Sequence, residues 1–198
     1  MAVATPWLDF GSADTSTGTT RLCASFDLVS VWLNPSNALA AGGGEAQILL
    51  AQDEFSAVSE SRYLRVMGLQ GLAAFLPESA VIEGIEVRVS RRFTRSGGST
   101  FPQDCHAHIV KGGNLGAVNA AKAGSWPLNT LADAVYGGAT DLWGGESWTR
   151  ADLLSPSFGF ALKVYRQTDD GHSLNCFVDH VQARIHYDPG PAAMFLAF

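Results

Sequence analysis

Apolar and polar side chains alternate along several stretches of this chain, and such alternation predicts strands with one face in a core. The clearest run is Val81–Arg92, where Ile85, Val87 and Val89 face one way and Glu86, Arg88 and Ser90 the other. Gly84 inside that run predicts a bulge or a close backbone approach. Ser61–Gln70 sets Leu64 and Val66 against Tyr63 and Arg65. Gln103–Lys111 sets Cys105, Ala107 and Ile109 against His106, His108 and Val110. Phe158–Tyr165 alternates on Phe158, Phe160, Leu162 and Val164. In Asn175–Tyr187, Phe177, Val181, Ala183, Ile185 and Tyr187 share a face with Asp179. Gln47–Ala51 is a shorter strand, and a first strand region over 21–33 stops at Asn34-Pro35, since proline removes a ladder donor.

About eight strands with long connections and little helix predict an all-β fold, a jelly-roll-like antiparallel β-sandwich with extended N- and C-terminal arms. The sandwich spans 21–187. Tyr136–Tyr165 reads as the connection that closes it, with glycine-rich turns, Trp143, Trp148 and a helix-start or turn signal at Thr149–Asp152. Asp170-Gly171 marks a hairpin. Residues 1–20 are small and polar and read as an N-terminal arm anchored by Trp7, Leu8 and Phe10. Residues 188–198 form an apolar C-terminal tail after Asp188-Pro189-Gly190-Pro191.

The chain has 198 residues, enough for one domain with a substantial core. Its 21 glycines and 11 phenylalanines, with only 16% charged residues, suit strands joined by tight turns. A net charge of −6 argues against nucleic acid as a partner, because phosphate binding needs a basic surface. No signal peptide and no membrane span are expected from the sequence. The three cysteines, Cys23, Cys105 and Cys176, are widely spaced with no CxxC pair, and predict three reduced thiols made in a cytosol.

Candidate chemistry is sparse. His106, His108 and Asp104 share a face on alternation and, with His180 or His186, form a conceivable metal set; the plainer reading is an exposed polar sheet face. Asp133, Asp141, Glu146 and Asp152 sit near glycine-rich loops that suit Ca²⁺, but ordinary turn and cap chemistry explains them as well. Neither set is assigned a metal, and no cofactor is expected. Asp179 on an apolar face needs a hydrogen-bond partner, a loop N–H or an arginine. Glu83 and Glu86 lack an opposed carboxylate at glycosidase separation. Trp126, Trp143, Trp148 and Tyr136 are candidates for a glycan platform; alternatively they plug the ends of the core. There is no GxSxG elbow, P-loop or dinucleotide fingerprint, so the chain reads as a non-enzyme.

Several pieces in order resemble a known module: Trp32-Leu-Asn-Pro-Ser-Asn-Ala38, Ser61 with Leu64, Pro77 through Val89, Asp104 through Gly116, Tyr136 through Trp143, Trp148 through Asp152, Phe158-Gly-Phe160 and Val178 through Val181. Over residues 21–187 the chain resembles a jelly-roll module of tailed-phage and prophage structural proteins of the tail, neck and head surface. The resemblance implies a virion structural component, made in the host cytoplasm, that binds copies of itself and other virion proteins. Trp7, Leu8, Phe10, Met194, Phe195, Leu196 and Phe198, outside the matching region, are the expected partner-binding residues. The alternative expectation is a carbohydrate-binding module for host-surface glycan.

Overall fold

A computed structural model describes residues 2–16, 23, 28–51, 58–167 and 172–190. Its strands are β1 (Val3–Ala4), β2 (Leu8–Ser16), β3 (Leu28–Ser30), β4 (Ala46–Leu50), β5 (Val58–Ser61), β6 (Tyr63–Leu69), β7 (Val81–Arg95), β8 (Gln103–Lys111), β9 (Asn114–Leu115), β10 (Ala132–Gly137), β11 (Gly159–Gln167) and β12 (Leu174–Asp188). Among the described residues, one short α-helix, α1, covers Arg150–Leu154. The fold is an all-β sandwich.

One layer is built on β7 and β12, antiparallel neighbours from Leu174 opposite Arg95 to Asp188 opposite Val81. β10 flanks β7, and β4, β2 and β1 share the far side of β12. The other layer is built on β11, with β8 on one side and β6 and β5 on the other. β2 flanks β6, β3 flanks β5, and β9 flanks β8. Among the described strands every pairing is antiparallel except β3 with β5, which is parallel and makes the arrangement mixed. Between the layers lie Ile48, Leu50, Leu64, Val66, Ile85, Val87, Val89, Phe158, Phe160, Leu162, Val164, Val181 and Ile185, all within 2% of full burial.

The expected N-terminal arm is corrected by this topology. Leu8 and Asp9 pair with Ala183 and Gln182 of β12, while Phe10 to Ser16 pair with β6, so β2 crosses from one layer to the other. Leu8 and Phe10 are 8% and 3% exposed, and Phe10 stacks on Phe158 at 6.3 Å. Ahead of them, the Thr5 N–H donates to the Ile185 carbonyl at 3.0 Å. These residues close the core and offer a partner no free surface. The sequence concealed this strand because its alternation changes phase after Phe10, and the inward residues beyond it, Ala13 and Thr15, are small.

The regular strands match their alternation, and two bulges mark where alternation fails. β12 slips one residue between Val178 and His180. Leu174, Cys176 and Val178 therefore join Val181, Ala183 and Ile185 in the core, and Phe177 and Asp179 turn outward. Asp179 accepts a hydrogen bond from the Gly42 N–H at 3.2 Å. β8 slips opposite Lys163 and Val164, which separates the face of Asp104 from that of His106. At Gly84 an added Cβ would lie 2.4 Å from backbone atoms of Gly138 and Ala139, so the loop after β10 packs against bare backbone there. α1 opens with a capping box in which Thr149 and Asp152 satisfy each other's backbone N–H. The hairpin at Asp170-Gly171 and the tail at 191–198 lie outside the described residues.

Candidate functional site

Of the two readings of Trp126, Tyr136, Trp143 and Trp148, the structure has the plugged core and not an open glycan platform. Trp126, Tyr136 and Trp143 are 1% exposed and Trp148 is 8% exposed. Each polar atom on these rings has an internal partner. The Trp143 indole N–H donates to the Ile85 carbonyl at 3.1 Å, and that of Trp148 to the Leu142 carbonyl at 3.2 Å. Trp126 donates to Asp104 Oδ1 and the Tyr136 hydroxyl to Asp104 Oδ2, both at 2.8 Å. The rings plug the sandwich ends because burial of so much apolar area outweighs fixing two side-chain torsions.

Asp104 is the hub of this interior cluster. Besides the two rings, it accepts from the Arg91 guanidinium and from the Lys122 backbone N–H at 3.0 Å. Its side chain is fully buried and that of Arg91 is 7% exposed. Burial, together with the Asp104 charge, pushes the Tyr136 hydroxyl well above the ordinary phenol range. A carboxylate so fully engaged holds strands together and leaves no lone pair aimed at a substrate.

The conceivable metal set is not brought together. His106 and His108 stack at 5.4 Å on the far side of the β11 layer, facing away from Asp104. His180 is on the other layer, 2.9 Å from Asp9, and His186 lies 3.2 Å from Glu86. The face carrying His106 and His108 is also not the exposed polar face expected of it. His108 is fully buried, Lys163 (3% exposed) pairs with Glu60 (fully buried), and Tyr63, Met67, Val110 and Ala161 form a second small core there.

Cys23 anchors the chain over this face, which corrects the expectation of three reduced thiols. It is disulfide-bonded to Cys105, and its backbone N–H donates to Glu60 at 2.7 Å. Cys176 is the free cysteine, and burial pushes its thiol up. The sulfurs of Cys23 and Cys105 and a ring nitrogen of His106 lie within 4.8 Å of one another. Because those sulfurs are bonded to each other, they are not thiolate ligands.

The loop acids serve structure. Asp141 accepts from the Trp143 N–H at 2.7 Å, Asp152 caps α1, Asp133 lies 3.7 Å from Arg88, and Glu146 lies 3.9 Å from Lys111. Glu86 pairs with Arg184 and His186. Burial opposes its charge, but the hydrogen bond from Arg184 and the neighbouring His186 prevail and hold its carboxyl below the usual range.

What is left for recognition is surface. A groove of about 480 Å³ opens at the end of the sandwich where β7 stops. Arg95, Ser99, Ser125, Pro127 and the exposed Phe101 and Leu128 line it, over the buried Phe93 and Trp126. Its frame is fixed by hydrogen bonds. The Phe93 N–H donates to the Pro127 carbonyl at 2.9 Å, the Asn129 N–H to the Phe93 carbonyl at 2.8 Å, and Arg95 to the Thr100 carbonyl at 3.0 Å. Phe101 and Leu128 are 42% and 43% exposed. At the opposite end, Phe75 and Val81 are 45% and 62% exposed. Sequence reasoning missed the groove, although Phe101 beside a Gly-Gly loop and Leu128 after Trp126-Pro127 were its visible traces.

Of the expected partner-binding residues, Trp7 lies half-buried between the guanidinium groups of Arg88 and Arg184, 4.6 Å from each. Met194, Phe195, Leu196 and Phe198 lie outside the described residues. No protein-family model and no curated protein matches this chain.

Proposed function

We propose that this chain is a structural component of a bacteriophage particle, in the head decoration, the neck or the tail and its fibres. It acts by contact with copies of itself and with neighbouring virion proteins, and turns over no substrate. The observation that carries this reading is the exposure of large apolar side chains among the described residues, Leu33, Leu49, Phe75, Val81, Phe101 and Leu128 among them. Such surface favours association. The interior charges, Asp104 with Arg91 and Glu60 with Lys163, are consumed in holding strands. The ordered resemblance to phage jelly-roll modules supports the same reading. So does the Cys23–Cys105 bridge, since disulfides persist on virion surfaces exposed to oxidising surroundings.

The test is to raise antibodies to the purified chain and label phage particles released by the cells that encode it. Gold label at a regular position on the particles is the expected result. Label confined to particle-free fractions, or turnover of a polysaccharide or ester panel by the purified chain, refutes the reading.

A further inference from the structure

The bulge in β8 does more than turn Asp104 into the core. His106 pairs with Lys163 and Asp104 with Val164, so Cys105 is the extra residue and has no register partner on β11. Strict alternation would set Cys105 on the core side with Ala107. The bulge instead brings Cys105 and His106, neighbours in sequence, to the same outer side, between Asp104 and Ala107, which are both buried. Bulges often re-aim a side chain at a working site. Asn119 holds the distortion in place: its side chain donates to the Cys105 carbonyl and accepts from the Ala107 N–H, both at 2.9 Å.

The same asparagine orients the ring of His106. Asn119 Oδ1 also accepts from the Ala121 N–H at 3.1 Å, which fixes the amide and sets its Nδ2 at 3.1 Å from His106 Nδ1. An amide nitrogen only donates, so Nδ1 accepts, and in its neutral form the ring carries its proton on Nε2. A ring nitrogen lies within 4.8 Å of both sulfurs of the bridge. An imidazole N–H or imidazolium beside a sulfur stabilises the thiolate which that sulfur becomes when its bond breaks. Cys23, Cys105 and His106 are each half-buried, so a small thiol can reach the bridge, whereas Cys176 is fully buried.

We propose that the Cys23–Cys105 bridge is a reversible thiol–disulfide exchange site that takes thiols as substrates, with His106 stabilising the leaving thiolate. A thiolate attacks one sulfur and forms a mixed disulfide; the electron pair of the broken bond leaves on the other cysteine, beside His106. A second thiolate attacks the mixed disulfide and expels the remaining cysteine. The protein gains two electrons and two protons, and two thiols become one disulfide. The bridge also governs a buried charge. Cys23 is held by its sulfur and by its N–H, which donates to Glu60 Oε2 at 2.7 Å, and Glu60 is fully buried against Lys163. Reduction removes the covalent hold on that donor, and oxidation restores it. On the particle reading above, on which this last step rests, the bridge opens in the reducing cytosol where the chain is made and closes on release.

The experiment uses the full oxidised chain with glutathione as the thiol. Native protein is incubated in glutathione buffers, quenched with an alkylating reagent and mapped by mass spectrometry. Cys23 and Cys105 are expected to be modified without denaturation while Cys176 is not, and oxidised glutathione is expected to restore the bridge. A bridge that opens only after denaturation is a structural staple, and the proposal fails. His106→Phe keeps a ring to stack on His108 and Tyr63 and removes both nitrogens. It is expected to slow reduction about tenfold, and His106→Lys, which returns a cationic donor, to recover most of the rate. Circular dichroism checks the fold, and His106→Leu serves if His106→Phe loses it. Equal rates in wild type and a folded variant without the imidazole overturn the role of His106. Hydrogen exchange reads the relay: the Cys23 amide is expected to exchange faster after reduction, and equal protection in both states overturns it. None of these results depends on particle labelling, so an inert bridge leaves the assembly reading standing, and a chain absent from particles leaves the exchange site standing.

Discussion

Replacing Asp104 by alanine is the most incisive test of how the interior is held. The carboxylate is fully buried and receives four donors: Arg91, the Trp126 indole, the Tyr136 hydroxyl and the Lys122 backbone N–H. Its removal leaves the Arg91 guanidinium buried without a counter-ion, a loss of about 3–5 kcal/mol. Each neutral donor left unsatisfied adds about 1–3 kcal/mol, partly recovered where water enters the new cavity. A cost of about 4–6 kcal/mol approaches the whole stability of a marginal domain, about 5–15 kcal/mol. At about 2–4 °C per kcal/mol for a chain of this size, the melting temperature drops by roughly 10–20 °C. Urea unfolding followed by tryptophan fluorescence and far-ultraviolet circular dichroism measures the change. A second variant separates charge from packing. With Arg91→Met added to Asp104→Leu, the unpaired charge is gone and its share of the loss is expected to return, while the cost of the unsatisfied Trp126, Tyr136 and Lys122 donors remains. A single variant that loses less than about 1 kcal/mol, or a double variant no better than the sum of its separate changes, refutes the argument.

Val87→Asp places a charge at a fully buried position in the centre of β7 and is expected to unfold the domain; an unchanged melting temperature would show the strand face to be wrongly assigned. Alkylation of denatured protein without reductant should modify one thiol, Cys176, and three after reduction; three modified thiols without reductant would remove the Cys23–Cys105 bridge. Asp152 is held below its ordinary value chiefly by the Thr149 backbone N–H, and Glu86 by Arg184 and His186 against its burial. Lowered carboxyl pKa values contribute stability above the unfolded values, so thermal stability should fall as pH drops below about 4, and an unchanged melting temperature there would contradict it. The raised Tyr136 hydroxyl works in the opposite direction: its contribution is intact below about pH 10 and is lost as pH rises beyond it, an effect that Tyr136→Phe should abolish.

The strands with unbroken alternation were legible from the sequence. Ile85, Val87 and Val89, or Phe160 and Leu162, declare their face because a one-residue slip would expose them all. Bulges hid the rest. An extra residue at Asp179 carries Val178 inward and Phe177 outward, and a slip in β8 sends Asp104 into the core away from His106. No local pattern marks either. β2 was hidden for a different reason. Its inward residues are few, and its strand identity comes from pairing with β6 and β12, which are distant in sequence. The aromatic cluster was visible as residues, but its burial depends on those same long-range pairings. The Cys23–Cys105 bridge spans 82 residues and follows from proximity that no spacing rule encodes.

The long β7–β12 ladder also decides how the molecule carries load. Tension applied at Arg95 and at Asp188 pulls on the end of β7 and on the opposite end of β12. The two strands are then drawn past each other lengthwise, and fourteen residue pairs resist together in shear. A pull between Val3 and Tyr187 acts differently, because those residues are direct partners at the same end of the ladder and their strands peel apart pair by pair. Forced unfolding is governed by the unfolding rate, so single-molecule extension should need a clearly higher force between positions 95 and 188 than between 3 and 187. Equal forces in the two geometries would mean that the ladder is not the load path.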